Sequence, residues 1–154
     1  MSKAFHSLFL TVAIILSINC QAEGQTFNDS VLKKVTEDDN AARAANNGKL
    51  PLLPATDHLY RADVHQSNRH FAEAREHWLI FLKNYPDDIG KARALFGIGR
   101  GYMWEREYTK AIEWFDKLQP DHSGTKEGRE GLAFKGASHV RIDKHLEAAK
   151  IYEQ

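Results

Sequence analysis

The residues best suited to chemistry are eight histidines, one cysteine, a scatter of carboxylates and a run of glycines. His58 and His65 stand seven residues apart, as do His70 and His77. On one helix that spacing is two turns, roughly 10 Å, too far for a shared zinc without further ligands. His-Glu-x-x-His does not occur, and Cys20 has no cysteine partner. These histidines are expected on helix surfaces or half-buried, with no metal and no cofactor. Ser123-Gly124 and Ser138-His139 lack the Gly-x-Ser-x-Gly setting of an exposed nucleophile. Glu105, Glu107 and Glu113 fall on a turn and a helix face, where solvated carboxylates are the rule. Gly97, Gly99 and Gly101 form Gly-x-Gly-x-Gly. A phosphate loop needs a strand before it and a helix start after it, and here the run sits inside a helical pattern. No catalytic residue is assigned, and the chain reads as a non-enzyme.

Length and composition agree with a single modest globular domain. The 154 residues are 42% hydrophobic and 27% charged, which excludes a wholly disordered chain and a multi-span membrane protein. Twenty-one basic groups balance 21 acidic ones, so the basic excess of a general nucleic-acid binder is missing.

Residues 1–22 have the marks of an export signal. Lys3 gives positive charge, and Leu8 to Ile18 is an eleven-residue apolar run broken by Thr11 and Ser17. That run is shorter than the roughly 20 residues a bilayer span requires. Cys20-Gln21-Ala22 places small residues where a signal peptidase reads, so cleavage is expected after Ala22. The alternatives are lipidation of Cys20, disfavoured by Asn19 before it, and an uncleaved anchor. The mature chain would carry no cysteine, so its apolar core alone must hold it together. Residues 23–54 are polar and read as a linker, partly helical around Ala41 to Ala45, with Asn46-Asn47-Gly48 as a stop and Pro51 and Pro54 bracketing a turn.

The remainder repeats. Ala74, Ala111 and Ala148 are spaced by 37 residues. Twelve residues before each stands Ala62, Gly99 or Gly136; nine before, His65, Tyr102 or His139; four after, Trp78, Phe115 or Tyr152. Phe71, Ala74, Trp78, Phe81, Leu82 and Tyr85 form one amphipathic stripe, and Tyr108, Ala111, Ile112, Phe115 and Leu118 another. Each unit therefore predicts two antiparallel helices, with turns at Ser67-Asn68-Arg69, Glu105-Arg106 and Asp143-Lys144. Small residues allow close helix approach, and the aromatic after each alanine fills the space between pairs. Truncating Trp78 to alanine would then cost about 3–5 kcal/mol.

Leu95-x-x-Ile98-Gly99-x-x-Tyr102 followed by Ala111-x-x-x-Phe115 resembles the tetratricopeptide repeat, with Pro86 at that family's closing proline. The resemblance covers 55–154, as units 55–91, 92–128 and an incomplete 129–154. It departs at His58, Arg61, Lys135 and His139, and its period exceeds the family's by three. It implies an all-α fold: about 2.7 repeats stacked as a right-handed superhelix. The longer period and Asn84-Tyr85-Pro86-Asp87-Asp88 look like the exported tetratricopeptide proteins of the bacterial cell envelope, which act beside outer-membrane assembly and Tol-Pal machinery. Asp87 or Asp88 is expected to cap the next helix. The resemblance further implies a periplasmic scaffold for a protein or peptide partner, without nucleic acid and without a membrane span in the mature chain. Its inner face would carry Arg93, Phe96, Arg100, Met103 and Trp104 from the middle unit, Leu59, Asp63 and Gln66 from the first, and Ala133, Ala137, Val140 and Arg141 from the third. The arginines with Phe96, Met103 and Trp104 suit a peptide groove that grips carboxylates and apolar side chains. The Lys and Asn residues of the family's carboxylate clamp are not matched. Gln154 falls eight residues short of closing the third unit. The C-terminal side is thus expected to be covered by further repeats or another chain. An alternative is the helical front end of a larger envelope enzyme, such as a soluble lytic transglycosylase.

Overall fold

The computed structural model describes residues 30–153. Among them every regular element is a helix and none is a strand. No helix among the described residues is long and apolar enough to cross a membrane. The export signal expected at 1–22 lies outside the described residues. The chain divides into two compact units, up to Leu50 and from Pro51.

In the first unit α1 spans residues 30–45. It is longer than the short helix that Ala41 to Ala45 predict. Lys33–Glu37 and Lys34–Asp38 pair one turn apart on its exposed side, and Val35 is buried. The helix ends where Asn47 and Gly48 take positive φ and the Gly48 N–H donates to the Arg43 carbonyl at 2.8 Å.

In the second unit α2 (Ala55–Ser67) packs on α3 (Phe71–Asn84), α4 (Lys91–Trp104) on α5 (Tyr108–Asp116), and α7 (Lys126–Arg141) on α8 (His145–Tyr152). The pairs are joined by contacts of α3 with α4, α5 with α7 and α4 with α7. A short α6 (Gln119–His122) lies between the second pair and the third. Pro120 cannot continue a helix ladder, so α5 stops at Asp116 where α3, its counterpart, runs 14 residues.

Two clusters form the core. Trp78, Phe81 and Ile98 are fully buried around Ala62, Ala74 and Ala94. Phe96, Phe115 and Leu118 pack with Ala92, Leu95 and Ala111. The glycine run in α4 has a packing origin. A Cβ at Gly97 would overlap the Trp78 ring, and one at Gly99 would overlap Phe115. At Gly101 a Cβ would meet only ordinary contacts, the nearest being Gln66 Oε1 at 3.5 Å. Tyr152 covers Gly136 in the same way yet stays 58% exposed.

Helix ends are set by few side chains. Thr125 Oγ1 accepts from the Gly128 N–H at 3.0 Å and starts α7. Asp88 does not cap α4, as the sequence predicts for Asp87 or Asp88. Its Oδ1 accepts instead from the N–H of Gly90, the residue before the helix, at 2.7 Å.

Candidate binding cleft

Three inter-helix turns share one geometry at 37-residue intervals. Arg69, Arg106 and Asp143 hold φ of 65°, 65° and 60°. The next residue's N–H reaches back five positions: His70 to His65, Glu107 to Tyr102 and Lys144 to His139, each at 2.9 Å. The backbone N–H groups of Arg69, Arg106 and Asp143 donate to the carbonyls of Gln66, Met103 and Val140 at 3.1–3.2 Å. This nested pair is the Schellman ending, whose left-handed position normally falls to glycine. A residue with a Cβ costs about 1–2 kcal/mol there. Two of the three turns therefore hold an arginine in a conformation that favours no arginine.

Those arginines border the end of α4. Arg69, Met103, Trp104, Arg106, Tyr108, Phe134 and Arg141 line a hollow of about 520 Å³. Gln66, Ser67, Arg69, Phe71, Arg100, Trp104 and Phe134 line an adjoining one of about 430 Å³. Trp104 is 59% exposed, with the Arg69 guanidinium 5.5 Å from its ring centroid. Phe134 is backed by Phe96 and Phe115, with centroids 5.8 and 6.2 Å away. No carboxylate lines either hollow. Glu105, the nearest acid in sequence to Trp104, is held in a two-pronged bridge by Arg75, which also lies 4.4 Å from the Tyr102 ring centroid. Two polar atoms among the lining side chains have no hydrogen-bond partner: Gln66 Oε1 and Arg100 Nε.

Of the six groove residues named from sequence, Arg100, Met103, Trp104 and Arg141 line these hollows. Arg93 does not. It pairs with Asp63 and borders a separate depression with Asp87, Asp88 and Ile89. Phe96 is 7% exposed and belongs to the core, where it underlies the Arg100 guanidinium at 5.6 Å. Arg69 and Arg106 are cleft residues that the sequence does not single out. The 37-residue period places both at equivalent turns, but which turn residue goes left-handed depends on backbone hydrogen bonds that no side-chain pattern encodes.

The histidines correct a second expectation. His58, His65 and His77 are fully buried rather than at the surface or half-buried. The seven-residue spacing treats each helix alone, whereas pairing of α2 with α3 sets His58 Nδ1 3.0 Å from His77 Nδ1. The Leu53 N–H donates to His58 Nε2 at 3.1 Å. A neutral His58 then carries its proton on Nδ1 and donates it to His77 Nδ1. His65 stacks between His70 and His77, with centroids 5.9 Å from each. In the repeat register His58 stands at a usually apolar position and His65 at the ring position. They form a buried chain of imidazoles instead.

In α7 the His139 imidazole is pushed below its ordinary value. Burial is the main cause, and the Lys135 and Lys144 charges add to it.

Scans of protein-family models, curated proteins and solved structures give no match to this chain.

Proposed function

We propose that the chain is a non-catalytic scaffold of the tetratricopeptide type, exported to the bacterial periplasm, that binds a protein or peptide partner in the cell envelope. In this reading its helix pairs wind as a right-handed superhelix and residues 1–22 are a cleaved signal. Support for the repeat comes from the recurrence of one turn geometry at Arg69, Arg106 and Asp143. Support for export comes from the apolar run Leu8 to Ile18 and the small residues after it.

The observation that carries the binding role is the cleft at the end of α4. It joins an exposed Trp104 to Arg69, Arg100, Arg106 and Arg141 with no carboxylate among its lining residues. Aromatic and arginine side chains together are what dominate protein-binding surfaces. The test is a photo-crosslinking residue in place of Tyr108, activated in the producing cells. A discrete adduct with another polypeptide in the periplasmic fraction is expected. It should vanish in the Arg100→Ala/Trp104→Ala double variant while helicity is unchanged. An adduct that survives the double variant removes the cleft from the reading, and no adduct at all removes the scaffold role.

A further inference from the structure

We propose that this cleft selects an acidic peptide segment. Its main-chain amide docks between Gln66 and Arg100, and its carboxylates are held by Arg69 and Arg106. The inference rests on the scaffold reading and names the partner's chemistry.

Three independent features point to it. First, the cleft is electrostatically one-sided: its titratable lining groups are arginines and Tyr108, and the adjacent Glu105 is already engaged by Arg75. Arginine is the side chain whose planar fork fits a carboxylate best. Second, Gln66 is only 6% exposed, yet its Oε1 lacks a partner, and so does the Nε of Arg100, which lines the same hollow; both atoms are enclosed, so a peptide reaches them as the Arg100 side chain swings aside. One is an acceptor and the other a donor. A trans peptide unit supplies the complementary N–H and C=O, whereas a bare anion supplies acceptors only and leaves Gln66 Oε1 unsatisfied. Third, the two turn arginines occupy equivalent left-handed positions 37 residues apart, while the third such position carries Asp143. The cationic series therefore covers the first two turns and reverses sign at the third. This site sits at the turn edge of the helix pairs, where Trp104 offers an exposed ring for an apolar side chain between the acids.

The probe is the acetylated, amidated tetrapeptide EFDE, titrated into the isotopically labelled protein while the Trp104 indole N–H resonance is followed. Its neutral counterpart QFNQ and inorganic phosphate are run alongside. EFDE is expected to shift the resonance, with QFNQ at least tenfold weaker and phosphate producing no saturable shift. Arg106→Gly keeps the left-handed turn and removes the side chain with its guanidinium, so EFDE should bind at least tenfold more weakly with helicity retained. Gln66→Leu should also weaken EFDE, through the amide contact.

Equal binding of EFDE and QFNQ would overturn the acidic preference while leaving a peptide scaffold standing. Equal response to phosphate and EFDE would overturn the amide contact and make the cleft a simple anion site. If no probe binds but the Tyr108 crosslink forms, this inference alone falls; if the crosslink fails too, both fall.

Discussion

At the residue scale, three glycines in one motif should answer differently to the same change. Gly97 lies flush against the buried Trp78 ring, and a methyl group at Gly101 would sit at ordinary contact distances. Alanine in a helix interior gains about 0.5–1 kcal/mol over glycine where nothing clashes. Gly101→Ala should therefore raise the urea midpoint by an amount of that order. Gly97→Ala should lower it, because neither the ring nor the helix can move without opening the core. Equal effects in both variants would contradict this packing. His139 supplies a second residue-scale prediction. Its native imidazole is held below the ordinary 6.5 by burial and by Lys135 and Lys144, so the unfolded chain takes up its proton first as pH falls. Stability from this group is complete above about 6.5 and is lost below it, down through the native value. His139→Gln should lose less stability than the parent between pH 7 and 5, read as denaturation midpoints across that range. Single-residue chemistry is the least legible level in the sequence. The apolar stripes predict Trp78 and Phe115 correctly because helical spacing fixes the buried face. His58 meeting His77 is invisible to spacing, since the contact joins two helices whose relative rotation is set by packing.

At the element scale, the turns decide where side chains meet. The repeat period alone locates all three turns, because small residues and aromatics recur at fixed offsets on either side. It does not show that the second residue of Glu105-Arg106, or Arg69 after Asn68, adopts positive φ. Those torsions turn two polar loop residues into walls of the cleft. They also make a stability prediction. Left-handed backbone costs a side chain about 1–2 kcal/mol, and glycine's extra freedom when unfolded takes back about 0.5–1. Arg106→Gly should then gain about 0.5–1 kcal/mol, seen as a higher midpoint in urea, even though the cleft loses a guanidinium. Asp143→Gly should gain less, because Asp tolerates this conformation better than Arg. A loss of stability in Arg106→Gly would mean that the guanidinium makes a folding contact stronger than the strain. Helix α1 is the element the sequence describes least well. Its apolar residues are few, and its pairs Lys33–Glu37 and Lys34–Asp38 give a helical signal far weaker than a stripe does.

At the scale of the whole molecule, the unit from Pro51 is a chain of neighbours with α4 at its hub. That helix packs on α2, α3, α5 and α7, whereas α8 packs on α7. The exposures follow the same gradient: α4 buries Ala92, Ala94, Leu95, Phe96 and Ile98 and exposes Trp104, while α8 buries Ala148 and Ile151 and exposes Leu146 and Tyr152. Opening α4 disrupts both core clusters at once, since Ile98 belongs to one and Phe96 to the other. Opening α8 uncovers chiefly Ala148, Ile151 and the Gly136 face of α7. Backbone amides of α4 should thus exchange with solvent only through global unfolding, and those of α8 through local opening at much lower free energy. Residue-resolved hydrogen exchange on the 154-residue chain would check this. The expected pattern is slowest exchange in α3 and α4 and fastest in α8, with added denaturant narrowing the gap. Uniform protection from α4 to α8 would mean a single cooperative block. The gradient matters for binding because Arg100, Met103 and Trp104 stand on the last turns of the hub helix. The wall that carries Met103 and Trp104 therefore stands on the most protected element, and little ordering of that wall opposes capture of a ligand.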